Sequence, residues 1–308
     1  PSLSSLSHTH THLSAQALRI FIKRIEEFSS MPERTQQGWI DNQIFLRLLR
    51  HSKNNIGMSH DLQLTNIHGD YLFNENTTIS YYGNSQGSVI GGGYFSSSLD
   101  LQRGVLGVPG CPFALLLSRS KDFAPYHAAM KFQIWDSIDV RLYLSLMQQL
   151  WDNAESGGWL TNLVRPSSKY PNKAVLLQAA LGDAQVTTLG AEFMARTLEA
   201  STIEPETRRV YGVPERRAPW KVGTADGTIE KHGGNNGFVE WKYDDAPPVP
   251  HDRDLPPTDG MDTHECPRRE PKAQEQLAYF LINNEIVQTC PKGHVCESKK
   301  CPDGRSNN

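Results

Sequence analysis

The run Ala174-Val175-Leu176-Leu177-Gln178-Ala179-Ala180-Leu181 constrains this chain more than any other stretch. An apolar segment of this length, closed by Gly182-Asp183, suits a strand buried on both faces, as in a parallel sheet covered by helices. Other segments fit beside it. Residues 77–82 ("TTISYY") are β-branched and aromatic, 103–108 ("RGVLGV") form a short strand ended by Pro109-Gly110, and 238–243 ("FVEWKY") alternate like a strand. Helical spacing recurs between them. Leu18, Phe21, Ile22, Ile25 and Phe28 predict an amphipathic helix that ends before Pro32, followed by a second from about 33 to 49 with Trp39, Ile40, Ile44, Leu48 and Leu49 on its buried side. A helix with Val186, Leu189, Phe193, Met194 and Leu198 follows the apolar run, and a last one at 272–284 turns Ala273, Leu277, Phe280 and Leu281 inward. Strands alternating with helices predict an α/β fold with a mainly parallel sheet.

The feature that carries chemistry is Gly83-Asn84-Ser85-Gln86-Gly87. In a Gly-x-Ser-x-Gly elbow the serine sits at a sharp strand-to-helix turn, in a strained conformation that crowds its neighbours, so glycines flank it on both sides. Here the motif falls between a β-rich run and the small-residue run "QGSVIGGGYFSSS". Gly87 and Gly91 stand one turn apart, so a helix here would lie close to a sheet; a free glycine-rich loop is the competing reading, since glycine weakens helices by about 1 kcal/mol each. A serine hydroxyl needs a base, and the base an orienting carboxylate. Asp183 closes the most apolar strand, where reactive groups of open α/β sheets collect, and His264 lies in the loop between the last strand and the last helix. The order Ser85, Asp183, His264 is that of the elbow fold. Alternatives stand beside each choice. Asp183 can simply cap a helix beginning near Gln185. Asp262 can steer a loop, and His251 in "PPVPHDRD" is a rival base.

Composition narrows the partners. A net charge of −3 gives no reason to expect nucleic acid, and no apolar run approaches the roughly 18 residues of a membrane span. The chain does not begin with Met, and residues 1–14, with His8, His10 and His12 alternating, contain no apolar core of a signal peptide, so a disordered tail and a processed or truncated start are expected. Cys111 stands alone, whereas Cys266, Cys290, Cys296 and Cys301 cluster late. Disulfides of an exported protein are the simplest reading of that cluster. A zinc site of Cys290, His294, Cys296 and Cys301 matches no ligand spacing, so no metal and no cofactor is expected. Asn76-Thr77-Thr78 is a glycosylation acceptor if the compartment allows it. The predicted organisation is a tail at 1–14, a catalytic region at 15–289 with a helical, aromatic-rich insertion at 112–162, and a Cys-containing tail at 290–308. Those aromatics fit either a core or a lid over an acyl pocket. Oligomeric state leaves no mark in the sequence.

Several blocks carry a family resemblance. "PERTQQGWIDNQIFLRLL", "YYGNSQGSVIGGGYF", "RGVLGVPG", "LSLMQQLWDNAESGGW", "AALGDAQVTTLGAEFMARTL" and "DTHECPRREPKAQEQLAYFL" resemble a group of large, poorly characterised bacterial α/β-hydrolase-like proteins, often exported, over about 31–289. The resemblance implies Ser85 as nucleophile, Asp183 as acid, His264 as base, and the Gln86 amide as one oxyanion donor. A small-molecule or lipid ester is the leading substrate reading, with amide hydrolysis, as in peptidases of related fold, left open beside it. Two departures stand out: Ala184 replaces the family's usual His after "GD", and the family's upstream half, with a His-Gly motif near the second oxyanion amide, has no counterpart before Ser85. His68-Gly69 lies too near the elbow to serve. Two function classes therefore follow, a serine hydrolase and a truncated, non-catalytic hydrolase-like binding or structural module.

Overall fold

The computed structural model describes residues 19–20, 23–50, 58–73, 77–164, 173–222, 236–246 and 262–302. Its centre is a seven-stranded sheet in which every pairing is parallel. In chain order the main elements are α1 (Ser30–Arg50), β1 (Ile79–Asn84), α2 (Gln86–Val89), α3 (Gly91–Ser97), β2 (Leu101–Gly107), α4 (Phe113–Leu117), α5 (Ala124–Gln133), α6 (Ser137–Trp151), β3 (Ala174–Ala180), α7 (Thr188–Thr197), β4 (Ser201–Ile203), β5 (Glu215–Arg216), β6 (Trp220–Lys221), β7 (Gly237–Tyr243), α8 (Pro271–Asn283), β8 (Glu285–Ile286) and β9 (Glu297–Ser298). The strand order is β1-β2-β3-β7-β4-β5, with β9 paired to the far end of β7. β6 and β8 form a separate antiparallel ribbon.

The apolar run at 174–181 does become an interior strand. All seven residues of β3 are buried, between β2 and β7. Because successive side chains point to opposite faces, neighbouring residues serve two cores. Leu106, Val175, Leu177 and Phe238 pack on one face with Phe95 of α3 and Met194 of α7. Val105, Leu176, Val239 and Trp241 pack on the other with Ala273 and Phe280 of α8. Helices thus cover both faces, which suits a parallel sheet whose central strand β3 is buried on both sides. Arg103 donates to the carbonyls of Leu281 and Ile282, satisfying the last turn of α8.

Between β2 and β3 the described chain is helical. A third core of Phe123, Met130, Val140, Leu144, Met147 and Trp151 holds α5 and α6 together, with Phe28 set edge-on to Trp151. The aromatics of this segment divide: Phe123 and Trp151 are core, whereas Phe132 and Trp135 are 83% and 93% exposed. Two points of the segment are fastened to the sheet side. Lys121 N donates to Ala184 O at 2.9 Å, and the Ser156 amide and hydroxyl reach Val89 O at 2.9 and 2.6 Å.

Three sequence expectations need correction. Helix α1 begins before Pro32 rather than after it, because a proline in the first turn lacks only an amide that has no helical acceptor anyway. Its buried residues are Pro32, Trp39 and Leu49; Ile40, Ile44 and Leu48 lie about half exposed. The helix seats itself by Trp39, whose ring fits over Gly93, where a Cβ would lie 2.4 Å from it, and meets Trp159 edge-on. That anchor turns the 40/44/48 stripe outward. In α7, which starts at Thr188 rather than near Gln185, Phe193 is likewise exposed, stacked under the Arg196 guanidinium, while Gly190, Ala191, Met194 and Ala195 make the contact. Small residues let the helix approach the sheet more closely than Phe193 would. The tail at 1–14, Leu18, Phe21, Ile22, Asn76 and His251 fall outside the described residues.

Cys266 pairs with Cys301 and Cys290 with Cys296, so all four late cysteines are bonded to one another and the zinc alternative loses its thiolates. Two such pairs are compatible with an oxidising, extracellular environment. No helix among the described residues is long and apolar enough to cross a membrane.

Candidate active site

Parallel strands bring their carboxyl ends to one edge, and register sets the level. Asn84 of β1 faces Gly107 of β2, which faces Gln178 of β3. Ser85 therefore leaves the sheet one residue past that line and Asp183 a few residues past it, on the same edge. β7 runs alongside, and the turn preceding α8 brings His264 back over this edge. Thr263 Oγ1 donates to Leu181 O at 2.9 Å, fixing that turn to the end of β3.

The turn at Ser85 is strained as its motif requires. Its φ is +59° and ψ −127°, a conformation that L residues rarely adopt. The Ser85 amide donates to Gly107 O at 2.9 Å, and Ser85 O accepts from Ser88 N at 2.7 Å, Val89 N at 3.0 Å and Ser88 Oγ at 2.6 Å. Gly83 is needed because a Cβ there would lie 2.0 Å from Gly87 O. Gly91 is needed because a Cβ would lie 1.8 Å from the Tyr81 hydroxyl, which itself donates to Gly87 O at 2.5 Å. Gly87 is different: the nearest atom to a Cβ there is Tyr81 Oη at 3.9 Å, an ordinary contact. The expectation that both flanking glycines relieve crowding holds at Gly83 and fails at Gly87. The run after Ser85 is helical, not free loop, with Ile90 in helical conformation joining α2 to α3.

Ser85, His264 and Asp183 meet in a line. His264 Nε2 is 2.7 Å from Ser85 Oγ, and His264 Nδ1 is 2.8 Å from Asp183 Oδ2. His264 and Asp183 are almost wholly buried. Asp183 also does part of what its capping alternative proposed. Its Oδ1 accepts from Gln185 N and Val186 N, both at 2.8 Å, closing the turn ahead of α7. One carboxylate thus organises its own loop and the imidazole at once. Burial pushes the His264 pKa down, but the charge and hydrogen bond of Asp183, helped by Asp262 and Asp122, outweigh it and hold the group above its ordinary value.

Gln86 opens α2, and the first amides of a helix have no intrahelical acceptor. Cys111 sits in the core; burial, then the nearby Glu155 and Asp152, push its thiol pKa up, which removes it as a nucleophile. Among the described residues no group of three or more His, Cys, Asp and Glu side chains is arranged to hold a metal.

The sequence did not point to Lys121 and Asp122, which arrive at this edge from the helical segment between β2 and β3, and it offered Gln185 only as a helix start. Lys121 forms an ion pair with Asp262, and Asp122 lies near enough to His264 to feel its charge. Neither lies in a recognisable motif, and only the packing of the insertion brings them here. Compared with known proteins, the chain matches no protein-family model, no curated protein and no solved structure.

Proposed function

We propose that this chain is a serine hydrolase acting on a carboxylic ester or lipid, of the α/β-hydrolase type and exported. The observation that carries the reading is the continuous contact from Ser85 Oγ through the His264 ring to Asp183 Oδ2, at 2.7 and 2.8 Å. With Nδ1–H donating to Asp183, the Nε2 lone pair faces the serine hydroxyl, the tautomer a general base needs. Ser85 Oγ attacks the ester carbonyl carbon as its proton passes to His264 Nε2. The tetrahedral oxyanion receives the Gln86 amide, a donor worth about 3 kcal/mol in such sites. Collapse expels the alcohol, protonated by His264, and leaves an acyl group on Ser85. Water, deprotonated by the same nitrogen, then releases the acid.

The strain at Ser85 supports this reading independently. A φ of +59° at a half-buried strand-to-helix turn is costly, and strained residues of this kind cluster at functional sites. A second reading, a non-catalytic hydrolase-like binding or structural module, is favoured by one observation. Among the described residues β1 pairs on one side only, with β2, and Gln86 is the single oxyanion amide assigned. A fluorophosphonate probe separates the two. Labelling that Ser85→Ala abolishes, together with turnover of short-chain esters, is expected of the hydrolase. A folded chain that takes no label sinks it.

A further inference from the structure

Asp262 stands two residues before His264, with its side chain only 10% exposed, and it makes four polar contacts. Its Oδ1 accepts from His264 N and from Ala184 N, each at 3.1 Å. Its Oδ2 accepts from Gln185 Nε2 at 2.9 Å and from the Lys121 ammonium. The donors come from three separate segments: the His264 loop itself, the turn that carries Asp183, and the short helical turn at Lys121–Phe123 between α4 and α5. A buried carboxylate with both oxygens filled is costly to leave half-satisfied, so these segments are held in one arrangement.

We propose that Asp262 is a positioning residue for the Ser85–His264–Asp183 array, clamping the loop of the base to the loop of the acid, with Lys121 extending the clamp to the insertion. This rests on the hydrolase reading above. The geometry makes it more than a loop staple. Asp183 bonds the imidazole through Oδ2 while its Oδ1 is held by the Gln185 and Val186 amides. Asp262 holds the adjacent Ala184 amide and Gln185 side chain, so both partners of the His264–Asp183 bond are set by one neighbouring group. Lys121 N also donates to Ala184 O, so the same turn is gripped from its other side. Burial of Asp262 opposes its ionisation, but the bonds from Lys121, Gln185 and Ala184 outweigh it, and its pKa lies below the usual value. The clamp is therefore charged whenever the base is neutral.

The charged groups around the imidazole are Asp183, Asp262 and, from the insertion, Asp122, with Lys121 facing Asp262. The test is the fluorophosphonate labelling rate of the full chain against pH, with the titration of the His264 ring followed by NMR, in Asp262→Asn and Lys121→Met. The carboxamide of Asp262→Asn keeps one oxygen to accept from the two backbone amides and loses the charge. Asp262→Asn is expected to move the His264 titration to lower pH and to slow labelling about tenfold or more even at pH values where the ring is neutral in both proteins, because the residual loss is one of geometry. Lys121→Met, on a half-exposed side chain, is expected to fold normally, to slow labelling several-fold and to move the titration the other way. If the native chain is labelled and Asp262→Asn matches it in rate and titration, the positioning role is overturned while the hydrolase reading stands. If the native chain takes no label, the hydrolase reading falls and the positioning proposal falls with it, the NMR titration then reporting only a structural contact.

Discussion

Asp183 and His264 touch through one carboxylate oxygen only: Oδ2 faces Nδ1 at 2.8 Å, and Oδ1 is occupied by the Gln185 and Val186 amides. Asp183→Asn can keep the amide contacts through its remaining oxygen. Its new NH2 group then donates to Nδ1, forcing the proton to Nε2 and removing the lone pair that Ser85 needs. The expected outcome is a fall of about 10⁴ in turnover with little change in melting temperature. Ester hydrolysis and a thermal melt on one preparation check both halves; a near-normal rate would reduce Asp183 to a turn-former.

The pH profile follows from the raised pKa of His264. In the proposed hydrolase His264 works as a base only when neutral, so activity is expected to be lost as pH falls through that pKa and to be present above it. Because the folded value lies above the ordinary value of about 6.5, the acid limb of kcat/KM is expected to have its midpoint above about 6.5. A limb centred well below that value, in the carboxylate range, would show that another group controls the rate.

The two elbow glycines respond differently to the same change. Gly83→Ala places a Cβ 2.0 Å from the Gly87 carbonyl, backbone against backbone, and is expected to cost about 3 kcal/mol or more and to displace Ser85. Gly87→Ala meets nothing closer than 3.9 Å and sits in a helix, so it is expected to leave stability unchanged or raise it by up to about 1 kcal/mol. Denaturant melts of the pair decide this; equal destabilisation would contradict the packing around Tyr81.

The disulfides differ in what they hold. Cys266 lies two residues beyond His264 and is joined to Cys301 across 35 residues, whereas Cys290 and Cys296 are six apart. By chain entropy the longer closure stabilises by about 4 kcal/mol and the shorter by about 2. Cys301→Ser is expected to lower both melting temperature and labelling rate, and Cys290→Ser with Cys296→Ser mainly the melting temperature. Labelling that is indifferent to Cys301→Ser would separate the His264 loop from its disulfide.

What is legible in the sequence is whatever obeys a period or sits at a strand end. β3 is visible as an apolar run, and Asp183 and His264 by their places after strands. α1 is visible as a helix, but its buried side is not, because spacing alone cannot tell that Trp39 over Gly93 sets the rotation. β4, β5, β6, β8 and β9 are two or three residues long, too short for any period to show. Lys121 and Asp122 carry no motif. Their relation to His264 exists only once the insertion has folded back across the sheet edge.

The helical segment between β2 and β3 is tied at two points to the turns around Asp183 and Ser85: Lys121 to Ala184 O, and Ser156 to Val89 O at the end of α2. Under the proposed hydrolase reading, a segment held at two separate points is expected to yield in its middle, where α5 gives way to α6 at Ile134, Trp135 and Asp136, so that an ester could pass without shifting the turns that carry Ser85 and Asp183.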